Sequence, residues 1–420
     1  MLCAIILPSM RNKWALLLLL CATFAVYTVD RALLGPLAIP IQADTGITDV
    51  QFGILNAAVF WTYALLVPFA GLMGDRINRL LLVGVAAVLW SVMTVFAGFA
   101  VGFWTFLVLA SISVTVPQTF YSPAAFALIA ESHRETRSVA MSCHQAAFYL
   151  GWLASGGVVA AILSLFGSWR WAYYLFGGVG LVLGAIALLA GRVNMRGVKN
   201  DPRMDVQDIV SFRESLRAFF CCPSAVLAAL GHVAFTFACF GYTSWGPKFV
   251  AEKFALSPGA AGTGVMFWHF AAALVAILLT GAVTDRLIVR WPRFRLALQA
   301  ATLVAAAPVL VLFGFSKSLM LVWFAAAAFG VAKGMFEANS VNSLYDVIPS
   351  RYRASAIGYL NVMSGLLGSL APMILGYFSQ QRGVDGLNVG FSSLGAILVV
   401  AFGLLLVSFF FTFRRDRIGG

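Results

Sequence analysis

Two pairs of charged residues stand out inside long apolar stretches of this 420-residue chain. Asp30 and Arg31 are adjacent late in the first stretch, and Lys333 and Glu337 are four positions apart in a later one. Charges are costly in such surroundings, so those present are candidates for function. Arginine presents a planar cationic fork that suits a carboxylate or phosphate, and a desolvated acid can gain and lose a proton. The four residues therefore suggest anion binding by Arg31 and Lys333 and proton exchange at Asp30 and Glu337.

Each pair also has a purely structural interpretation. Neighbouring helix positions point about 100° apart, so Asp30 and Arg31 need not pair, yet both can belong to a buried ion network. Lys333 and Glu337 share a helix face at i and i+4. They form either a permanent ion pair or one that opens when an anion competes for Lys333 and Glu337 is protonated. The sequence leaves both alternatives open, and it does not choose between Asp30 and Glu337 as proton carrier.

Other polar side chains in the apolar stretches are candidates to line a substrate cavity, because amides and phenols suit hydroxylated or carboxylated ligands. These candidates are Tyr63, Gln118, Tyr121, Gln145, Tyr242, Trp245, Asn339 and Asn361. The six cysteines show no metal-ligand spacing, and there is no nucleophile–base grouping or phosphate-binding glycine loop. We therefore expect no metal, no cofactor and no enzymatic activity.

The elements that position these residues follow from composition. The chain is 61% hydrophobic and 10% charged, whereas soluble domains are about 45–50% apolar and about 25% charged. Its apolar runs are continuous rather than alternating, which indicates spanning helices and not a β-barrel. We predict an all-α membrane protein with twelve transmembrane helices. These lie at about 14–39, 50–73, 80–101, 103–130, 137–165, 169–191, 223–250, 259–283, 295–315, 318–346, 352–379 and 388–413.

The net charge of +12 comes from 28 Lys and Arg residues, most of which fall in alternate connections between the predicted helices. This asymmetry is the positive-inside rule, which places both termini in the cytoplasm. The basic balance therefore reports topology and not nucleic-acid binding. The longest polar connection, 192–217, divides the chain into an N-terminal six-helix bundle (1–191), a cytoplasmic linker (192–220) and a C-terminal six-helix bundle (221–420).

An internal repeat supports this division. The connection after the second predicted helix reads GLMGDRINR (71–79), and that after the eighth reads GAVTDRLIVR (281–290). The first copy resembles the G-x-L-a-D-R-x-G-R-K motif of the major facilitator superfamily, although Asn78 replaces the usual glycine. The resemblance implies two pseudo-symmetric six-helix bundles that alternate around a central site. It also implies a conformational latch at Asp75, Arg76, Arg79, Asp285 and Arg286.

Further motifs resemble the anion:cation symporters, which carry sugar acids and other organic anions, and the Spinster-like lipid carriers. They are VDRALLG (29–35), FWTYALLVPFAG (60–71), SWGPKFVAEKFALS (244–257) and GYLNVMSGLLGSLAPMILGY (358–377). Two positions depart from those branches. Lys248 replaces a small polar residue, and Gln118 stands where the fourth helix usually has the glutamate used in proton coupling. Gln118 cannot titrate, so a coupled proton must be carried elsewhere.

Together these features favour a secondary active transporter of a small organic anion, a sugar acid or another carboxylate, working by alternating access as a proton-coupled symporter. The driving force would be a proton or sodium gradient, and the protein would act as a monomer among the lipids of a cell membrane, a bacterial inner membrane. An exporter of lipids or amphipathic drugs is the alternative. A membrane receptor or assembly factor is disfavoured, because no predicted connection has the length of a sensor domain. The substrate itself cannot be read from the sequence.

Overall fold

The computed structural model describes residues 13–74, 78–133, 135–194 and 211–418, and all regular secondary structure in these residues is helical. The α-helices are Lys13–Ala32, Ala38–Thr45, Asp49–Gly74, Arg79–Ala97, Phe103–Phe106, Thr115–Ser132, Arg137–Phe166, Arg170–Asn194, Phe212–Phe220, Pro223–Phe254, Pro258–Leu287, Phe294–Phe315, Leu319–Tyr345, Arg353–Gly368, Leu370–Val407 and Phe413–Asp416. Two π-helical segments, Leu107–Ser113 and Ser408–Thr412, and a 3-10 turn, Ser350–Tyr352, complete the described elements.

Eleven helical segments of the described residues are long and apolar enough to cross a membrane. The last of them, Ser355–Asp416, is 62 residues long and contains Gly383, whose φ of 54° is readily available only to glycine. A Cβ built on Gly390 would lie 3.2 Å from Cγ of Leu375, although a straight helix would hold these residues more than about 20 Å apart. The chain therefore reverses direction at Gly383, between the predicted spans 352–379 and 388–413.

The chain forms two compact units. The first contains residues 1–48, 58–204 and 257–263, and the second contains residues 49–57, 205–256 and 264–420. The units follow chain order except for two short segments, 49–57 and 257–263. Residues 49–57 are the first part of the Asp49–Gly74 helix, and they pack within the second unit.

In the first unit, the Arg79–Ala97 helix packs against Arg170–Asn194 and Thr115–Ser132, and Lys13–Ala32 packs against Arg137–Phe166. Aromatic rings fill the space between these helices. The buried residues Phe24, Tyr27, Trp90 and Tyr121 stack on one another or meet edge to face, with ring centroids 5.5–5.8 Å apart. Such contacts add to the burial of large apolar surfaces and fix the orientation of the first helix.

The second unit repeats this packing order. Phe294–Phe315 packs against Leu370–Val407 and Leu319–Tyr345, and Pro223–Phe254 packs against Arg353–Gly368. The third and sixth predicted spans of the first unit thus correspond to the ninth and twelfth of the second. This repetition agrees with the repeated connections in the sequence.

The fourth predicted span is irregular in a way that the sequence did not predict. Its middle winds as the π-helix Leu107–Ser113, and Pro117 and Pro123 follow in the helix Thr115–Ser132. A π-segment rotates the residues that follow it, and a proline removes one backbone hydrogen bond and bends the helix. Both features change the direction in which Gln118, one residue after Pro117, projects.

Candidate functional site

Asp30 is buried on the Lys13–Ala32 helix, with 7% of its surface exposed. Its Oδ2 atom accepts hydrogen bonds from Oγ1 of Thr94 at 3.0 Å and from Nε2 of Gln118 at 2.9 Å. Both donors are neutral. A buried acidic side chain whose hydrogen-bond partners are neutral can take up a proton without breaking an ion pair.

Arg31, the next residue, is half-buried and points to different partners. Its Nη1 donates to the hydroxyl of Tyr27 at 2.8 Å, and its guanidinium carbon lies 5.7, 5.5 and 5.0 Å from the ring centroids of Tyr27, Phe60 and Tyr63. Cation–π attraction therefore holds the charge in place. Within the described residues, Arg31 has no carboxylate at ion-pair distance. Most of its five N–H donors are thus available to a ligand.

A narrow cavity of about 20 Å³ touches both side chains of this pair. Its polar lining comes from Asp30, Arg31, Thr115, Gln118 and Tyr173, and the π-helical segment contributes Ala110. A cavity of this volume has room for about one water molecule. A single water could therefore bridge the carboxyl of Asp30 to its surroundings.

The second unit contains the other predicted pair. Nζ of Lys333 is paired with Oε1 of Glu337, one turn further along the Leu319–Tyr345 helix. The Lys333 side chain is 10% exposed and that of Glu337 is 32% exposed, so the carboxylate is the more accessible partner. The ammonium also lies 6.0 Å from the ring centroid of Phe270. This geometry fits both a permanent ion pair and a pair that opens when an anion competes for Lys333.

Two glycines hold this pair close to the neighbouring helix. A Cβ built on Gly330 would lie 2.0 Å from the carbonyl oxygen of His269, and one built on Gly334 would lie 2.4 Å from that of Ala273. The G-x-x-x-G spacing thus lets two membrane helices approach closely, as small residues commonly do in lipid. Lys333 lies between the two contacts.

The remaining substrate candidates fall into two groups. Tyr121, Trp245 and Asn339 are fully buried and donate to the carbonyls of Leu20 at 2.7 Å, Pro372 at 2.8 Å and Met335 at 3.2 Å. The hydroxyl of Tyr121 and the indole N–H of Trp245 are therefore occupied by the fold itself, whereas Oδ1 of Asn339 is buried without a hydrogen-bond partner in the described residues. Gln145 and Asn361 are exposed.

The hydroxyl of Tyr242 is also buried without a hydrogen-bond partner in the described part of the chain. Its ring centroid lies 4.8 Å from that of His269. A buried polar atom of this kind usually contacts a water or a ligand. Of the substrate candidates, Gln118 and Tyr63 contact the charged pair of the first unit directly.

The predicted latch is described only in part. Asp75 and Arg76 lie outside the described residues, whereas Arg79 forms an ion pair with Glu131. In the second copy, Asp285 is 80% exposed and lies 4.0 Å from Arg295, whose other nitrogen binds Asp346 at 3.0 Å. Arg286 is exposed.

The structure also brings together charged residues that the sequence analysis did not select. Lys248 pairs with Oδ1 of Asp49 and lies 3.6 Å from Glu252. Oδ2 of Asp49 accepts from the Ser379 hydroxyl at 2.6 Å. The sequence contained one signal for this ion pair, the departure from the related sequences at Lys248. A lysine placed in an apolar helix requires a carboxylate partner.

Comparison with known proteins agrees with this architecture. The sequence is 26% identical, over 404 residues, to an MFS-type efflux pump of Mycolicibacterium smegmatis. This alignment covers 94% of this chain and 91% of the relative. It is 23% identical to the D-galactonate transporter of Escherichia coli O6:H1 over 434 residues. This alignment covers 94% of this chain and 96% of that transporter. Among solved structures, a bacterial homologue of the human lysosomal transporter Spinster superposes with a TM-score of 0.82 at 20% identity. The superposition covers 97% of this chain and 98% of that homologue.

The family assignment rests on a longer match than the single motif that first suggested it. The sequence profile of the Major Facilitator Superfamily matches residues 19–372, a range that contains Asp30, Arg31, Lys333 and Glu337. The resemblance predicted from the sequence is therefore confirmed. This protein belongs to the Major Facilitator Superfamily, and it is a multi-pass membrane protein with the fold of a transporter.

Proposed function

We propose that this protein transports a small organic anion, such as a sugar acid or another carboxylate, and that a proton gradient drives it by symport. The observation that carries the proposal is Arg31, a half-buried cation in a spanning helix with no carboxylate at ion-pair distance among the described residues. A cation kept without a partner in such surroundings is costly unless a ligand anion uses it. Aromatic rings stabilise the charge while the site is empty.

Proton coupling is assigned to Asp30 and Glu337. Among the described residues, Asp30 accepts hydrogen bonds only from neutral donors, so its protonation disturbs no ion pair there. Gln118 holds that carboxyl group in place instead of carrying a proton itself. Lys333 is proposed as a second substrate-binding cation that Glu337 occupies until the anion arrives. A sodium gradient is the alternative driving force.

The topology that goes with this function has twelve spans. The segment Ser355–Asp416 counts as two of them, because the chain reverses at Gly383. With twelve spans both termini lie on one side, and the basic connections favour the cytoplasm. We propose that the protein works as a monomer in a bacterial inner membrane.

A sugar acid is the first substrate class to test, because a relative that matches over nearly its whole length is named a D-galactonate transporter. A sugar acid combines one carboxylate for Arg31 with hydroxyl groups for amides and phenols. Tyr63 and Gln118 are the nearest such groups in the first unit.

Export of lipids or amphipathic drugs is the second candidate function. The three aromatic rings around Arg31 favour it, since they would also accept an apolar chain attached to an anionic head group. A further relative is named an efflux pump. The two candidates differ in the ligand that they require and in the direction of net movement.

A thermal-shift screen of the purified protein separates the candidates, because a ligand that binds only the folded state raises the apparent stability. The panel contains D-galactonate, D-gluconate, D-glucuronate, the matching neutral sugars and a lysophospholipid. Anion transport predicts stabilisation by one or more of the acids and not by the neutral sugars. Stabilisation by the lysophospholipid alone would reject the organic-anion proposal in favour of export.

A further inference from the structure

Two arginines lie just beyond the ends of neighbouring spanning helices of the second unit. Arg293 directly precedes the helix Phe294–Phe315, and Arg414 follows the last predicted span, 388–413. Trp291, which is 47% exposed, marks the same level, because tryptophan side chains prefer the boundary between head groups and acyl chains. The charge pattern assigns this boundary to the cytoplasmic leaflet. Both arginines are therefore at the depth of lipid head groups.

The fold holds these two positive charges next to each other. The guanidinium carbon of Arg293 lies 5.1 Å from the ring centroid of Phe409, so cation–π attraction keeps it against the last helical segment. Burial and the neighbouring charge of Arg414 lower the pKa of Arg293. Like charges disfavour each other when they are close. The arrangement is therefore costly unless an anion joins it.

The protein itself supplies no such anion in its described part. Neither Arg293 nor Arg414 has a carboxylate at ion-pair distance there, and Asp416 binds Arg415 at 2.9 Å instead. The positive-inside rule accounts for arginines at this side of the membrane, but not for two held side by side. A phosphate group would relieve the repulsion, because its oxygens accept strong hydrogen bonds from guanidinium groups.

Exposed aromatic rings adjoin the same two charges. The ring centroid of Phe409, against which Arg293 packs, lies 5.0 Å from that of Phe410, and Phe410 is 63% exposed. Phe410 and Arg414 are four positions apart in consecutive helical segments, a spacing that puts them on one side. Arg293, Phe409, Phe410 and Arg414 therefore form one continuous patch, charged at its outer end and apolar towards the membrane interior.

We propose that this patch binds an anionic phospholipid, with its phosphate between Arg293 and Arg414 and an acyl chain along Phe409 and Phe410. The position of the patch favours a lipid over a soluble anion, because only a lipid covers the rings and supplies the phosphate together. Each basic residue near an anionic surface attracts it separately, and two of them favour an anionic over a zwitterionic lipid on the order of 10-fold.

Photoreactive lipids locate the site directly. The probes are phosphatidylglycerol and phosphatidylcholine with the same diazirine-bearing acyl chain, each present in trace amounts in phosphatidylcholine vesicles that contain the full-length protein. Peptide mass spectrometry measures the labelling of the segment 409–411. We expect the phosphatidylglycerol probe to label this segment about 10-fold more than the phosphatidylcholine probe, from the preference above. Equal labelling by the two probes would overturn the proposal.

The variant R293Q/R414Q should lose this preference, so that the two probes label the segment equally. The matched control R137Q/R351Q removes two exposed arginines of other connections and should keep the preference. A preference that persists in R293Q/R414Q, or that disappears in the control, would mean that net charge alone attracts the lipid and would overturn the proposal.

The single variant R414Q alters only one exposed side chain, which leaves the packing of the helices unchanged. Its preference should lie between those of the unmodified protein and R293Q/R414Q. A preference equal to that of the unmodified protein would remove Arg414 from the site and contradict the proposal.

A soluble anion is the competing occupant. Inorganic phosphate is added in excess, at an ionic strength matched with chloride, and the lipid proposal predicts no change in labelling by the phosphatidylglycerol probe. Weaker labelling with phosphate than with chloride would mean that a soluble anion fills the space between the arginines, and it would reject the lipid. None of these measurements depends on transport, so the outcome is independent of the proposed function.

Discussion

Asp30 and Arg31 are neighbours in the chain, yet their side chains have separate partners. The carboxyl group is held by Thr94 and Gln118, and the guanidinium is held by the Tyr27 hydroxyl and aromatic rings. This separation is what a coupled transporter needs, because a permanent Asp–Arg pair would use up both charges. Asp30 can then take up a proton and Arg31 an anion without first breaking a bond between the two side chains.

The substitution Arg31→Lys tests the anion-binding role of the guanidinium. Lysine keeps the positive charge and loses the planar fork, so a carboxylate can no longer be bound by two parallel hydrogen bonds. We expect the apparent affinity for an organic acid to fall on the order of 10-fold to 100-fold. The concentration dependence of the ligand-induced thermal shift measures this change.

The matched control for this substitution is Arg290→Lys, which alters an exposed arginine in the turn after the spanning helix Pro258–Leu287. It should bind the acid as the unmodified protein does. An unchanged affinity in the Arg31→Lys variant would remove Arg31 from the binding site.

The four charged residues could be selected from the sequence because a charge in an apolar stretch is conspicuous without any structure. The partners of these residues could not be selected in this way. Thr94 and Phe60 are ordinary residues of apolar helices, and they gain a role only because helix packing brings them to Asp30 and Arg31. The π-helix Leu107–Ser113 has no comparable sequence signal, so the way in which Gln118 reaches Asp30 was not predictable.

At the scale of elements, close helix contacts rest on glycines. The helix that carries Lys333 approaches its neighbour at Gly330 and Gly334, where an added methyl group would overlap backbone atoms. Both of these helices were predicted from the sequence, at about 259–283 and 318–346. Which glycines form contacts depends on the facing helix, and only the structure shows it.

We therefore predict that Gly330→Ala destabilises the protein. The new Cβ must displace the backbone of the facing helix at His269, and overpacking of this kind costs about 1–3 kcal/mol. A lower thermal denaturation midpoint in detergent measures the effect. Gly403→Ala is the control, because a Cβ there meets no atom within 4 Å. Equal midpoints for the two variants would contradict the close contact.

The Asp49–Lys248 pair fixes the start of the Asp49–Gly74 helix within the second unit. Its side chains are 15% and 9% exposed, so removal of one partner leaves a largely buried charge. The two single substitutions are not equivalent. Lys248→Met leaves two carboxylates, Asp49 and Glu252, without their shared cation, whereas Asp49→Asn leaves Lys248 beside Glu252 at 3.6 Å.

We expect Lys248→Met to lower the stability by about 3 kcal/mol, within the range for breaking a buried pair. Asp49→Asn should cost less, and the double variant should recover part of the loss. Denaturation midpoints of the three variants give the comparison, with exposed Lys317→Met as a control. If Asp49→Asn proved as destabilising as Lys248→Met, Glu252 would not share the lysine.

At the scale of the whole molecule, the sequence predicted a helical membrane protein of the Major Facilitator Superfamily, and the family match confirms this. Hydropathy and repeated connections carry that information over the whole length of the chain. They place a reversal between the predicted spans 352–379 and 388–413, where Gly383 lies. They do not report the grouping of residues 49–57 with the second unit, which depends on contacts distant in sequence. The identity of the substrate also depends on side chains that many helices contribute together, which hydropathy does not report.

Transport by reconstituted protein tests the central claim most directly. The measurement compares proton-driven accumulation and gradient-free exchange of the organic acid that stabilises the purified protein most, in vesicles containing the unmodified protein or Asp30→Asn. Exposed Asp385→Asn serves as the control. The proposal predicts that Asp30→Asn loses accumulation and keeps exchange, because the anion still binds while the proton cannot. Accumulation at the unmodified level in Asp30→Asn would contradict the role of Asp30 in coupling.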